Sequence, residues 1–267
     1  MGTDVGLRLI DRSRLAVNPP ARIRPSLVPL GEDYEPNVLI LDNLYTDPGY
    51  VRHLALSLDF LAGRNRFPGF EARVSVDPQP LLNIINHFVD DALVLTPRFE
   101  TEFVFSMMSS HVDPRRRRQT VPHADGLGIL AGIVYLNPPH QCRGGTAFYR
   151  HRSTGLIDVP TRTTRRLAAI MQEEKLRSLD QLVRWMTREK PQKAGVRSRR
   201  TLELVTDSTP EWELVRCIEM KFNRMVLYFG SLFHSAFLKP TSFGDTLATR
   251  RLTQTLLLSR KDEARSR

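Results

Sequence analysis

A chain of 267 residues with 41% hydrophobic residues can bury a substantial core, and this composition excludes a disordered protein. No apolar run approaches the roughly 18–20 residues that span a bilayer, and the opening stretch MGTDVGLRLIDRSRLAVNPPARIRP lacks the continuous apolar segment of a secretory leader. The net charge of +10 is concentrated in one stretch, 161–200, where twelve Lys/Arg face four acids. No zinc knuckle, RNP-like or helix-turn-helix pattern accompanies that charge, which argues against nucleic acid as the partner.

In chain order, residues 1–36 are rich in Pro and Arg and read as an N-terminal arm packed on a single domain spanning 37–267. Gly6 stands where an N-myristoylation signal needs Ser or Thr. Val38–Leu41 reads as a strand. Asp47 is a good helix N-cap and Pro48 suits the first helical position, with Val51, Leu54, Ala55 and Leu58 on one apolar stripe. A second helix is expected from near Pro80, with Leu81, Ile84, Ile85 and Phe88 facing inward. From about residue 100 the pattern changes to short strands: TEFVFSMMS, GILAGIVYL and TAFYRH. A basic helical insertion at about 161–200 interrupts them. Ser178 and Gln181 suit a capping box there, and Pro191 closes the helix. One or two helices packed by Leu167, Ile170, Met171, Leu179, Leu182 and Met186 are expected outside the β core, since these residues repeat at helical spacing. Strands then return in WELVRCIEM, RMVLYFG, HSAFLK and RLTQTLLLS. No internal repeat is present. The fold class expected is mainly β with flanking helices. The two cysteines, Cys142 and Cys217, stand in no metal or redox spacing, which suits a reduced, cytoplasmic setting.

The motif with chemical content is His-x-Asp, which occurs twice: His111 with Asp113, and His123 with Asp125. In an extended strand residues i and i+2 face the same way, so either pair could grip a metal from one side. A second His from elsewhere would complete a 2-His-1-carboxylate triad. His53 and His87 fall in expected helices, His140 in a Pro-rich turn, and His151 and His234 at strand ends. His234 is the strongest third ligand, because it follows the apolar run MVLYFGSLF, where a lone imidazole needs a reason. In RLTQTLLLS, Arg251 and Thr253 share a strand face. A guanidinium fork with a hydroxyl two residues on can clamp a carboxylate.

Taken together, these segments resemble the iron(II)/2-oxoglutarate-dependent dioxygenases, in their prolyl-4-hydroxylase-like branch. The resemblance rests on VPHADGLGILAGIVYLNPPHQCRGGTAFYRHRSTG, NRMVLYFGSLFHSAF and RLTQTLLLS, with VLILDNLYTDPGYVRHLALSLDF and RFPGFEAR similar to the N-terminal part of a bacterial group in that branch. It covers roughly 36–160 and 212–260. It implies a double-stranded β-helix of the jelly-roll or cupin-like type. Fe(II) would be held by His123, Asp125 and His234, the pair followed by YLN and the Gly-Gly turn. His111 and Asp113 instead precede four arginines in what reads as a loop. The resemblance also implies 2-oxoglutarate held at its far carboxylate by Arg251 and Thr253, and O2 as second cosubstrate. Asp125 stands where halogenating members have a small residue, and Leu257 stands where nucleic-acid dealkylases have a second Arg; both argue against those activities. Arg73, Arg115, Arg118 and Arg152, with their neighbours in the Arg115–Arg118 run, would suit a small substrate bearing a carboxylate, such as an amino acid or a specialised metabolite derived from one. The alternatives are a peptidyl or protein side-chain hydroxylase and a non-enzymatic metal-binding β-barrel module. No membrane partner is expected, and a homodimer is compatible with the sequence.

Overall fold

A computed structural model of the chain describes residues 11–31, 37–62, 69–89, 93–95, 102–109, 121–187, 207–238 and 243–260. Two antiparallel sheets face each other. The larger has nine strands: β1 (Arg24–Pro29), β2 (Asn37–Asp42), β3 (Leu61–Ala62), β4 (Phe70–Ser75), β5 (Leu93–Leu95), β6 (Glu102–Met108), β7 (Leu130–Tyr135), β10 (Arg224–Phe229) and β12 (Arg251–Arg260). Their order is β1-β2-β10-β7-β12-β6-β4-β3, with β5 pairing β12 beyond the reach of β6. The smaller sheet runs β11-β8-β9, from β8 (Gly145–His151), β9 (Trp212–Glu219) and β11 (His234–Phe237). An isolated antiparallel bridge between His123 and His234 adds the segment around His123 to its β11 edge.

The path of the chain makes this a double-stranded β-helix. After β6 it crosses to the small sheet at His123, returns to the large sheet in β7, and crosses again for β8 and β9. It then comes back in β10, crosses for β11 and ends in β12. Strands adjacent in sequence thus lie in opposite sheets, as in a jelly roll.

Period-two alternation decides which side chains meet. On β12, Leu252, Leu256 and Leu258 face one side, where they pack under α1 (Pro48–Leu56) and α2 (Gln79–Val89) through Val51, Leu54, Ala55, Leu81, Ile84 and Ile85. Asp47 Oδ1 accepts from Tyr50 N at 2.9 Å, capping α1 at the expected position. On the opposite face Ile40, Tyr135, Val226 and Tyr228 of the large sheet pack against Phe148, Ile218 and Met220 from the small-sheet side. A third layer lies outside the small sheet: α3 (Arg165–Glu173) and α4 (Leu179–Met186) set Leu167, Leu182 and Met186 onto Ala147, Tyr149, Trp212 and Phe233. The basic stretch therefore begins as a helical hairpin, its exposed arginines turned to solvent. Its remainder, with Arg197, Arg199 and Arg200, lies outside the described residues. Ser178 caps α4 by accepting from Gln181 N, but Gln181 Oε1 accepts from Arg177 N rather than from Ser178 N, so the reciprocal bond is shifted one residue outward.

Residues 24–29, within the stretch expected as an arm, pair with β2 and form one edge of the large sheet. Pro25 and Pro29 lie in that strand and cannot donate to a further strand, which blunts the edge. At the other end of the β1-β2-β10 run, Asp42 receives Arg224 Nε at 2.6 Å and Lys221 Nζ at 2.8 Å. Burial pushes the Asp42 carboxyl upward, but the hydrogen bonds from Arg224 and Lys221 outweigh it and hold it below the usual carboxylate range. Among the described residues no helix is long and apolar enough to cross a membrane.

Candidate metal centre

His123 and His234 are brought together by backbone. His123 N donates to His234 O at 3.0 Å and His234 N to His123 O at 2.9 Å, which sets the two ring centroids 4.6 Å apart. The His-x-Asp segment is not the extended strand its spacing suggested: only His123 is bridged. Asp125 is placed instead by Gly230, whose carbonyl accepts from both Asp125 N (2.7 Å) and Gly126 N (3.1 Å). A side chain at Gly230 would press on Ile129 and on Asp125 Cβ, at 3.1 and 3.2 Å, so this close approach depends on glycine. His234 likewise opens its own strand in the small sheet. It is not carried on the apolar run 224–229, which stays in the large sheet.

The side chains converge. One donor atom from each of His123, Asp125 and His234 lies within 4.8 Å of the others, and His234 Nε2 is 3.5 Å from Asp125 Oδ2. His123 Nδ1 is 3.1 Å from Val121 O and His234 Nδ1 is 2.8 Å from Leu232 O. A carbonyl oxygen only accepts, so in the neutral form of either ring Nδ1 carries the proton and Nε2 presents its lone pair. Burial, helped by the neighbouring His234 and opposed by Asp125, pushes the His123 imidazole well below its ordinary value. It therefore stays neutral, the form a metal requires.

At the other end of the inter-sheet space stands Arg251, 4% exposed. Its guanidinium lies over the Tyr135 ring at 5.5 Å, its Nη2 reaches Gly145 O only at 3.5 Å, and its Nε has no hydrogen-bond partner. Burial pushes its pKa down, with Tyr135 and Tyr228 opposing. Among the described residues no carboxylate pairs with it. A buried cation without a counter-ion is expensive, and an anion entering the space would relieve it. Thr253 shares this face, its Oγ1 3.4 Å from Ser106 O. Arg250 points the other way and stacks at 4.6 Å on Phe70, which packs on the helix-side core.

Two short motifs are explained by this placement. In Tyr135-Leu136-Asn137, the buried Asn137 accepts from Leu252 N at 2.7 Å and donates to Arg250 O at 2.8 Å, pinning the backbone on both sides of Arg251. The hydroxyls of Tyr135 and Thr146 are hydrogen-bonded to each other at 2.7 Å. In the Gly-Gly turn, a Cβ on Gly145 would overlap the carbonyl of Ile218, and one on Gly144 the carbonyl of Phe237. Gly145→Ala should therefore force β8 and β9 apart and destabilise the fold by roughly 3 kcal/mol or more. A thermal melt checks this, and an unchanged midpoint would show that the strands separate freely.

Of the other candidates, Arg73 is half-buried on β4 and pairs with Val104, itself opposite Thr255, so it stands two strands from β12 in that cross-strand row. Arg152 lies past the end of β8, exposed, with Nε donating to Thr209 O at 2.9 Å. It stands four residues beyond Phe148, the partner of His234. His111, Asp113, Arg115 and Arg118 lie outside the described residues. Sequence reasoning missed Tyr135 and Tyr228, both buried in the inter-sheet space. The available signal was Tyr228 two residues from Val226 on the inward face of an apolar strand, where a hydroxyl calls for a partner.

Fold and side chains define a double-stranded β-helix with a His-Asp-His cluster at one end of its interior and an uncompensated arginine in it. The chain belongs to a family described as of unknown function (DUF6445), whose model matches residues 21–258. No curated protein matches it. Among solved structures it is similar to the non-heme alpha-ketoglutarate-dependent carbocyclase SnoK from nogalamycin biosynthesis, at 11% identity and TM-score 0.39 over 84% of this chain and 79% of that one. It is also similar to EctD from S. alaskensis in its apoform, at 10% identity and TM-score 0.36 over 93% and 86%. Both likenesses are remote.

Proposed function

We propose that this chain is an Fe(II)/2-oxoglutarate-dependent oxygenase of the prolyl-4-hydroxylase-like branch. Its substrate would be a small molecule bearing a carboxylate, such as an amino acid or a metabolite made from one. The carrying observation is the convergence of three metal donors in the same interior as an arginine that has no anion. His123, Asp125 and His234 would hold the metal; two imidazoles and one carboxylate suit Fe(II) and leave positions open. Arg251 and Thr253 would take the far carboxylate of 2-oxoglutarate, and the unmatched Nε is a donor such an anion would satisfy. With O2, iron and 2-oxoglutarate held there would supply oxidation of an unactivated C–H bond, 2-oxoglutarate being converted to succinate and carbon dioxide.

The chain's own contribution is orientation and charge. The carbonyls of Val121 and Leu232 hold both imidazoles in the ligating tautomer, and Gly230 fixes Asp125 from behind. Asn137 and Gly145 set Arg251 at the far end, and the packed inter-sheet layer keeps water from it. Arg73, on β4 of the large sheet, would be a candidate contact for a substrate carboxylate. Hydroxylation, desaturation and ring closure all fit this arrangement.

The test needs no substrate. Purified protein given Fe(II), 2-oxoglutarate and O2 should form succinate slowly, above the level of Asp125→Ala. Succinate at the variant's background would sink the oxygenase reading and leave a metal-binding module in its place.

A further inference from the structure

Period-two alternation gives β4 two unlike faces. Phe70 and Val74 pack against the helix-side core, so Glu71 and Arg73 face the side of the large sheet that carries Arg251 and Thr253. The register fixes their neighbours. Glu71 stands opposite Ser106, itself opposite Thr253, and Arg73 stands opposite Val104, itself opposite Thr255. The Ser106 and Thr255 hydroxyls are 3.1 Å apart on that face. The small sheet has three strands against nine, and no β4 residue belongs to the apolar layer between the sheets. Beyond that layer the inner face therefore continues as a polar surface, with Glu71 and Arg73 both half-buried on it.

This surface runs alongside the metal centre. Along β12 the path from Arg251 to Leu258 leads toward the metal, since Leu258 pairs with Leu130 and the adjoining Ile129 borders Gly230, whose carbonyl holds Asp125. Glu71 and Arg73 lie in the rows of Thr253 and Thr255, partway along that path. They stand two strands to one side of it, roughly 10 Å away.

We propose that Glu71 and Arg73 together recognise the headgroup of a free α-amino acid, Glu71 taking its ammonium and Arg73 its carboxylate. This rests on the oxygenase reading and narrows its substrate class. Residues i and i+2 of a strand lie about 7 Å apart on one face, and two long side chains close on a ligand set between them. A carboxylate accepts from an ammonium, and a guanidinium fork matches a carboxylate. The α-amino acid headgroup carries both complementary charges on one carbon. Both residues have partners in the free protein, so binding exchanges one polar contact for another. A residue within a peptide has neither a free α-ammonium nor a free α-carboxylate, so this pair selects against peptidyl substrates.

The experiment measures succinate formation by the full chain with Fe(II), 2-oxoglutarate and O2, with and without pooled free L-amino acids. The matching N-acetyl amino acids and the matching amino acid amides form two further pools. In wild type the free pool should raise succinate above the level without additions, and both capped pools should stimulate far less. Glu71→Gln should lose the preference for free over N-acetylated amino acids, and Arg73→Gln the preference for free acids over amides. Each preference should fall about 10- to 150-fold, as for one lost hydrogen bond to a charged group. A ratio taken within one protein is not mimicked by a general loss of activity or of fold. Equal stimulation by free and capped pools in wild type, no stimulation by the free pool, or unchanged preferences in both variants would overturn the headgroup assignment while the succinate formed without additions keeps the oxygenase reading. Succinate at the Asp125→Ala background under all conditions would overturn both.

Discussion

Asp125→Ala and His234→Ala should each give a folded protein that no longer binds Fe(II). Asp125 is placed by backbone bonds to Gly230, which alanine retains, so the fold should survive. His234 is buried, but its backbone bridge to His123 also persists in the variant. Removing a group that merely orients a ligand lowers metal affinity about 10- to 100-fold, so removing one of three ligands should exceed that. Fe(II) titration under anaerobic conditions, followed by 2-oxoglutarate, reads both events, and the charge-transfer band should vanish in either variant. The rival pair is tested in the same way. If His111→Ala with Asp113→Ala loses the metal while Asp125→Ala keeps it, the first His-x-Asp is the ligand pair.

Arg251→Ala should cost 2-oxoglutarate binding far more than it costs the fold. A charge-assisted contact to a buried carboxylate is worth roughly 2–5 kcal/mol when truncation leaves the partner charge unpaired, or about 30- to 5,000-fold in affinity. In the free protein the guanidinium is itself the uncompensated group, with an orphaned Nε, so its removal offsets part of the cavity left behind. The metal-free melting midpoint should therefore stay close to wild type while the cosubstrate dissociation constant rises. Arg250→Ala is the control. Its side chain stacks on Phe70 on the other face of the sheet, and cosubstrate affinity should be unmoved. The reverse order of effects would assign the clamp to Arg250.

Much of the architecture was legible because local rules sufficed for it. Alternation in RMVLYFG and RLTQTLLLS marks strands with one face toward helices and one toward the second sheet, and the Asp47-Pro48 pair starts α1 where the capping rules put it. The placement of Arg251 rather than Arg250 on the face of Thr253 was legible for the same reason: with a period of two, only one of two adjacent arginines can share that face. The capping at Ser178 was legible, but its Gln181 bond to Arg177 was not, since a one-residue shift in a side-chain hydrogen bond leaves no trace in the pattern.

What the sequence determines by itself is the kind and order of the elements, the chemistry of the side chains, and the spacing that makes His123, Asp125, His234 and Arg251 candidates. What only the tertiary structure decides is their meeting. His123 and His234 are 111 positions apart and come together through two backbone hydrogen bonds between loop and strand, which no periodicity encodes. Asp125 is aimed by the carbonyl of Gly230, a contact that depends on the close approach a glycine permits. The missing anion of Arg251 is likewise invisible in one dimension. A polar group is orphaned only with respect to everything packed around it, and that is settled when the two sheets close face to face.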